Sequence, residues 1–231
     1  MKRAYREVRV TPSDGGWRVL LDGRLLQTPA HASLLLPSRA LAEAIAAEWD
    51  AQTEQIVPAS MPLMRLAATA IDHVEPKRDR VIDEIAGYAA TDLVCYRAEH
   101  PADLVARQHA GWQPLVDWAT LQFDAPLLVT TGVLPKPQPP ETLSAIRQAV
   151  AAFDTLRLAA LHGATTASGS VVIGLALLHR QLDAHGAWQT SQLDETYQIE
   201  KWGEDPEAAA RREELRRDIA AIDHFIDLLH S

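Results

Sequence analysis

The stretch Ser38-Arg39-Ala40-Leu41-Ala42-Glu43-Ala44-Ile45-Ala46-Ala47-Glu48-Trp49 decides the fold, because the hydrophobic period changes there. Leu41, Ile45 and Trp49 recur at four-residue spacing, which puts them on one helical face, and Ser38 stands where an N-cap is needed. Upstream the chain reads as β. Val8 and Val10 lead into Ser13-Asp14-Gly15-Gly16, and Trp17, Val19 and Leu21 then alternate with Arg18 and Leu20. The glycines supply the positive φ that tight turns require. Asp22-Gly23 is a second turn, followed by Arg24-Leu25-Leu26-Gln27-Thr28-Pro29, so a hairpin or meander is expected. Leu34-Leu35-Leu36, ahead of Pro37, offers a further strand.

Downstream of Gln55-Ile56-Val57-Pro58, which breaks the first helix, nearly everything is helical. Leu63, Leu66, Ala67, Ala70, Ile71 and Val74 mark one helix, with Pro62 tolerated in its first turn. Val81, Ile85 and Tyr88 mark the next, with Gly87 near its end. A longer helix opens at Pro101 and carries Leu104, Gln108, Trp112, Leu115 and Ala119, with a kink or break expected at Pro114. The run Pro135-Lys136-Pro137-Gln138-Pro139-Pro140 reads as a stiff spacer, or as a polyproline ligand.

Leu143, Ile146, Val150 and Phe153 then define a helix expected to end near Gly163. Val171 to Leu178 is apolar nearly all round and belongs inside a core. Asp205-Pro206 is a helix start, with Leu215, Ile219, Ile222, Phe225, Ile226 and Leu229 as the buried stripe beyond it. The fold class is therefore α+β. A small β-rich N-terminal domain with one helix (1-58) precedes an all-α helical bundle domain (59-231), with the boundary around Val57 to Met61.

Composition narrows the function classes. The 231 residues are 47% hydrophobic and 23% charged, ordinary globular usage with a real core. Against 31 acidic residues stand 22 basic ones, a net charge of −9 that repels phosphate backbones and anionic membranes. Neither nucleic acid nor membrane insertion is expected. The single cysteine, Cys95, permits no intrachain disulfide and reads as a buried small hydrophobe. Met1-Lys2-Arg3-Ala4-Tyr5-Arg6 lacks the apolar core of a signal peptide, and the longest apolar run falls far short of the roughly 20 residues that span a bilayer. A soluble, cytoplasmic protein is expected.

The search for catalytic groups returns mainly exclusions. No phosphate loop is present, and the nine histidines are scattered without zinc-site spacing. Ser168 and Ser170 lack the flanking glycines of a nucleophile elbow and suit N-capping instead. Asp72 and His73, adjacent on a helix, point about 100° apart and cannot share a pocket as a pair. No cofactor or metal is expected.

One constellation remains. Leu193-Asp194-Glu195-Thr196-Tyr197-Gln198-Ile199-Glu200-Lys201-Trp202-Gly203-Glu204-Asp205 packs five carboxylates around two aromatics. On a helix Glu195, Gln198 and Trp202 share one face, with Leu193 and Tyr197 on a neighbouring one. This is either the solvated end of a helix or a recognition surface for a basic, partly apolar partner. An enzymatic alternative, a small-molecule hydrolase or lyase, would use Glu195 in a cleft of the helical domain.

That segment resembles the C-terminal signature of the ATP-twelve family, assembly chaperones for the α subunit of the catalytic head of F-type ATP synthase. The likeness continues upstream through Leu21-Asp22-Gly23-Arg24, Thr28-Pro29, Ala47-Glu48-Trp49-Asp50-Ala51-Gln52, Met61-Pro62, Ile71-Asp72, Thr91-Asp92-Leu93-Val94-Cys95-Tyr96-Arg97, Gln108 and Trp112. The resemblance implies a non-enzymatic chaperone that binds the free α subunit and prevents its aggregation, itself monomeric when free. It implies a small α/β domain followed by a helical bundle, and an important acidic residue in the signature, Glu195 or the adjacent Asp194. Gln198, Trp202, Glu204 and Asp205 complete the expected partner-binding set. With no targeting extension ahead of the β region, a bacterial cytoplasmic member is expected, or a chain from which a presequence has been removed.

Overall fold

The structure, a computed structural model, describes residues 2–132 and 136–229. It forms two compact units. The first takes Met1–Arg78, Thr155–Ala160 and Ala221–Ser231; the second takes Asp79–Asp154 and Leu161–Ala220.

In the first unit β1 (Val8–Ser13), β2 (Gly16–Leu21) and β3 (Arg24–Leu25) form an antiparallel sheet in sequence order. Ser13 pairs with Gly16 across Asp14-Gly15, and Leu21 with Arg24 across Asp22-Gly23. Asp22 and Gly23 have φ of 47° and 77°, the pair of positive values that a type I′ turn needs. Asp22 tolerates this because its carboxylate accepts the main-chain N–H groups of Arg6 and Glu7. Gly16 is required for a different reason: a Cβ there would collide with the Leu36 carbonyl oxygen. The strand expected at Leu34–Leu36 is reduced to isolated bridges, Gln27 to Ser33 and Trp17 to Leu36. Pro37, which has no N–H, stops the pairing.

Helix α1 (Arg39–Asp50) begins where the Ser38 Oγ accepts the Leu41 N–H at 3.1 Å, and it buries Leu41, Ala42, Ile45 and Trp49. Glu48 then caps α2 (Pro62–Thr69), its two carboxylate oxygens accepting the N–H groups of Leu63 (2.7 Å) and Met64 (2.8 Å). Burial raises the Glu48 carboxyl, and these two donors oppose the rise. The helix continues as a π turn over Ala70–Val74, where Asp72 accepts the Thr28 hydroxyl (2.6 Å) and the Ala30 N–H (3.1 Å). Asp72 is thus a clamp on the loop after the sheet; it and His73 do border one hollow, contrary to the expectation from helical spacing, but both Asp72 oxygens are taken by Thr28 and Ala30.

The second unit is built around α3 (Arg78–Gly87), α4 (Ala102–Phe123), α5 (Pro140–Ala151), α6 (Thr155–Ser168) and α7 (Val171–Leu178). Arg78 and Thr155–Ala160 themselves fall in the first unit. Every residue of α7 is buried, as its uniform apolarity demands, and the Ser170 Oγ caps it through the Ile173 N–H. Helix α4 runs on through Pro114 without a break. One lost backbone bond is tolerated because Gln108, Trp112, Leu115, Val116 and Ala119 fix the helix by burial on both sides of it.

The helix expected from Leu143 to Gly163 is two helices, separated at Ala152–Asp154. The second passes through Gly163 and stops at Gly169, whose φ of 71° supplies the left-handed cap. A glycine inside a packed helix costs only about 1 kcal/mol, so Gly163 does not end it. Pro135 lies outside the described residues. Gln138 is buried and pins the spacer by exchanging two hydrogen bonds with the main chain of Leu128. Sequence reasoning missed a parallel pair, β4 (Tyr96–Arg97) with β5 (Thr130–Thr131), and a short helix, α8 (Ala184–Ser191), capped by Asp183.

Buried polar side chains organise this unit. Asp92, fully buried, accepts the Ser170 hydroxyl (2.6 Å) and the N–H groups of Val94 (3.1 Å) and Val172 (3.2 Å). Burial pushes its carboxyl up to about 6, against the pull of those donors. Arg97 donates to the carbonyls of Val94 and Gln108 and lies over the Trp112 ring. Cys95 is buried, its thiol pushed up to about 12 mainly by desolvation, an inert packing residue.

Candidate functional site

Helix α9 (Leu193–Trp202) and the start of α10 (Pro206–Leu229) carry the acidic–aromatic segment. Asp194 and Glu195 occupy the first turn of α9 and Lys201 the last, matching the helix dipole. Gly203 ends the helix at φ 84°, its N–H donating to the Ile199 carbonyl at 2.8 Å. Asp205 restarts it, one carboxylate oxygen accepting the N–H groups of both Glu207 and Ala208 at 2.9 Å.

The two sides of α9 differ sharply in how their polar groups are used. On one side Asp194 accepts from Gln108 Nε2 at 2.8 Å, and the buried Tyr197 donates its hydroxyl to Asp103 at 2.8 Å. Lys201 pairs with the same Asp103 at 3.3 Å, and Glu200 pairs with Arg107 at 2.7 Å. The Tyr197 hydroxyl, then Lys201, hold the Asp103 carboxyl below its usual range; Asp103 in turn raises Lys201. Arg107 and Lys201 also sit over the Tyr197 ring, 5.3 Å and 5.1 Å from its centre. All these partners belong to α4, so this face is anchored.

On the other side Glu195, Gln198 and Trp202 are exposed, Trp202 at 77%. Among the described residues, none of the three side chains makes a hydrogen bond or ion pair. They border a groove of about 480 Å³ whose far wall is Ala208, Arg211, Arg212 and Leu215 of α10, with Ile199 on the α9 side. Glu204 reaches Arg212 at 3.2 Å, and Arg212 lies over the Trp188 ring.

Of the six residues singled out in the sequence, five border the groove: Glu195, Gln198, Trp202, Glu204 and Asp205. Asp194 turns away to Gln108. Glu204 and Asp205 already have partners inside the fold, which leaves Glu195, Gln198 and Trp202 with unused bonding capacity. The sequence reading missed the basic wall. Its signal was present: positions 208, 211, 212 and 215 recur at helical spacing and so share one face of α10. The groove lining contains no histidine, serine or cysteine that could work with Glu195 as base or nucleophile. Among the described residues no helix is long and apolar enough to cross a membrane.

Residues 2–120 match the family model described as ATP12 chaperone protein. Over 214 residues the chain is 23% identical to protein atp12, mitochondrial, of Schizosaccharomyces pombe, spanning 87% of this chain and 74% of that protein. The solved structure of Atp12 from Paracoccus denitrificans superposes with a TM-score of 0.94 at 43% identity, covering 99% of this chain and 98% of that one. The Atu1473 protein from Agrobacterium tumefaciens superposes with a TM-score of 0.93 at 40% identity, covering 99% and 86%.

Proposed function

The chain belongs to the ATP12 chaperone family, a family of assembly chaperones and not of enzymes, and on that premise we propose that it binds the free α subunit of F-type ATP synthase. Binding keeps that subunit from aggregating during assembly of the catalytic head, until the β subunit takes its place. The observation that carries this reading is the unpartnered face of α9: Glu195, Gln198 and Trp202 lie exposed beside a groove whose lining includes the apolar Ile199 and Leu215. An aromatic anchor beside an unpaired carboxylate suits an interface with apolar and basic groups, where charge steers and specifies more than it tightens. A lone subunit of an obligate assembly exposes an interface of that kind. Asp194, Glu204 and Asp205 serve by holding this face in place.

The protein acts as a monomer when free, without nucleic acid and without insertion into a membrane. Its compartment is the bacterial cytoplasm, as suits the likeness to the Paracoccus protein; the fission-yeast relative is mitochondrial. The test is light scattering by the isolated α subunit with and without the purified protein, in the absence of ATP. Suppressed scattering is expected. Equal scattering in both samples overturns the proposal.

A further inference from the structure

A second concavity lies in the first unit and shares no lining residue with the α9 groove. It encloses about 630 Å³, within the usual range of small-molecule sites. Its wall is mainly apolar, made by Trp49, Ile56, Pro58, Met61, Met64 and Ala68. Two methionines give such a wall an adaptable surface. The Trp49 indole N–H is buried and has no acceptor among the described residues.

The polar groups around this pocket are unevenly used. Asp72 is the only carboxylate among its described lining residues, and both of its oxygens are occupied by Thr28 and Ala30. Arg65, His31 and His73 border the same space and are exposed. Among the described residues none of their side chains has a hydrogen-bond or ion-pair partner. A chain with a net charge of −9 thus presents an apolar hollow with an exposed guanidinium, Arg65, on its rim and a buried unpartnered donor, the Trp49 N–H, in its wall; Gln27 and Thr69 add neutral amide and hydroxyl groups.

We propose that this pocket binds a small amphiphilic anion, its apolar body against Met61, Met64 and Ala68 and its acidic head at Arg65. The shape selects for size and the rim for charge: a neutral hydrocarbon offers Arg65 nothing beyond its existing Coulombic attraction to Glu48, and a dianion carries too much desolvation cost into an apolar wall. The site is independent of the α-subunit reading, since its residues are not those of the α9 groove.

The experiment is calorimetric titration of the full chain with decanoate, with displacement of the anionic dye 8-anilinonaphthalene-1-sulfonate as a second readout. Saturable one-to-one binding is expected. Arg65→Glu, a surface change that should leave circular dichroism unaltered, is expected to weaken it about tenfold by replacing attraction with repulsion. Ala68→Phe, which fills the hollow, is expected to abolish it, and Trp202→Ala to leave it unchanged. Binding that is absent, or indifferent to Arg65→Glu in a folded variant, overturns the proposal. So does displacement of the dye by isolated α subunit, which would assign the pocket to the client protein.

Discussion

Gln108 and Asp194, 86 positions apart in the chain, meet side chain to side chain at 2.8 Å, the buried amide of α4 donating to the carboxylate that opens α9. Two more groups of Gln108 are also committed: its Oε1 accepts the Ala98 N–H and its carbonyl accepts from Arg97. Asp194→Ala therefore strands a buried donor and is expected to cost about 1–3 kcal/mol in urea unfolding. Glu195→Lys, one position on, is expected to leave stability within about 0.5 kcal/mol because the side chain is exposed and unpaired. It should weaken α-subunit capture instead. A destabilised Glu195→Lys, or a neutral Asp194→Ala, would reverse the roles assigned to these neighbours.

Trp202 is the groove's most exposed aromatic, at 77%, and its loss removes contact area without opening a cavity in the fold. Trp202→Ala is expected to weaken α-subunit binding by about 1.4–2.8 kcal/mol, roughly ten- to a hundredfold. Surface plasmon resonance with immobilised α subunit reads this directly. Unchanged affinity would remove Trp202 from the interface.

Asp92 gives stability a pH dependence of unusual sign. Its folded carboxyl stands at about 6, above the ordinary 3.8, so the folded state holds the proton more tightly than the unfolded chain. This contribution is fully present below the unfolded value and is lost as pH rises through about 6, a change of about 3 kcal/mol. The exposed carboxylates Asp22 and Glu213, whose values are lowered, act in the opposite direction at lower pH. Unfolding free energies of the chain and of Asp92→Asn, compared between pH 4 and 6, should show wild type losing ground as pH rises. A constant difference between the two would refute the assignment.

The sequence was legible wherever a local rule and the tertiary environment agreed. Both glycine turns, the Ser38, Ser170 and Asp205 caps, and the wholly buried α7 follow from residues within a few positions of one another. Gly163 misled because intrinsic propensity is weaker than the packing of α6, and β4 with β5 escaped because two-residue strands show no period. The functional segment was visible as a composition, but its division into an anchored and an open face was not. That division depends on Asp103, Arg107 and Gln108, which reach α9 only once α4 is folded against it. The motif residues Glu48, Asp72, Asp92, Arg97 and Gln108 carry the family resemblance in the sequence without showing what they do. In the fold each is consumed in holding backbone groups.

The first unit closes only with the end of the chain. The Ser38 hydroxyl, besides capping α1, donates to the Leu228 carbonyl, and Ile222, Phe225 and Ile226 of α10 are buried. Each such side chain contributes about 1.5–3 kcal/mol of burial, so losing all three removes a large fraction of the roughly 5–15 kcal/mol that holds a domain folded. A chain ending at Ala220 is therefore expected to lose the cooperative unfolding of the N-terminal unit, although the sheet and α1 lie at the opposite end of the sequence. By the same logic residues 1–58 alone should not fold, since they lack Met61, Leu63 and Ala67 as well. Ser38→Ala in the full chain is expected to cost only about 1–2 kcal/mol, because the apolar stripe of α10 stays in place. Denaturation followed by tryptophan emission distinguishes these cases: a truncated chain with the full-length midpoint would show that α10 is dispensable to the first unit.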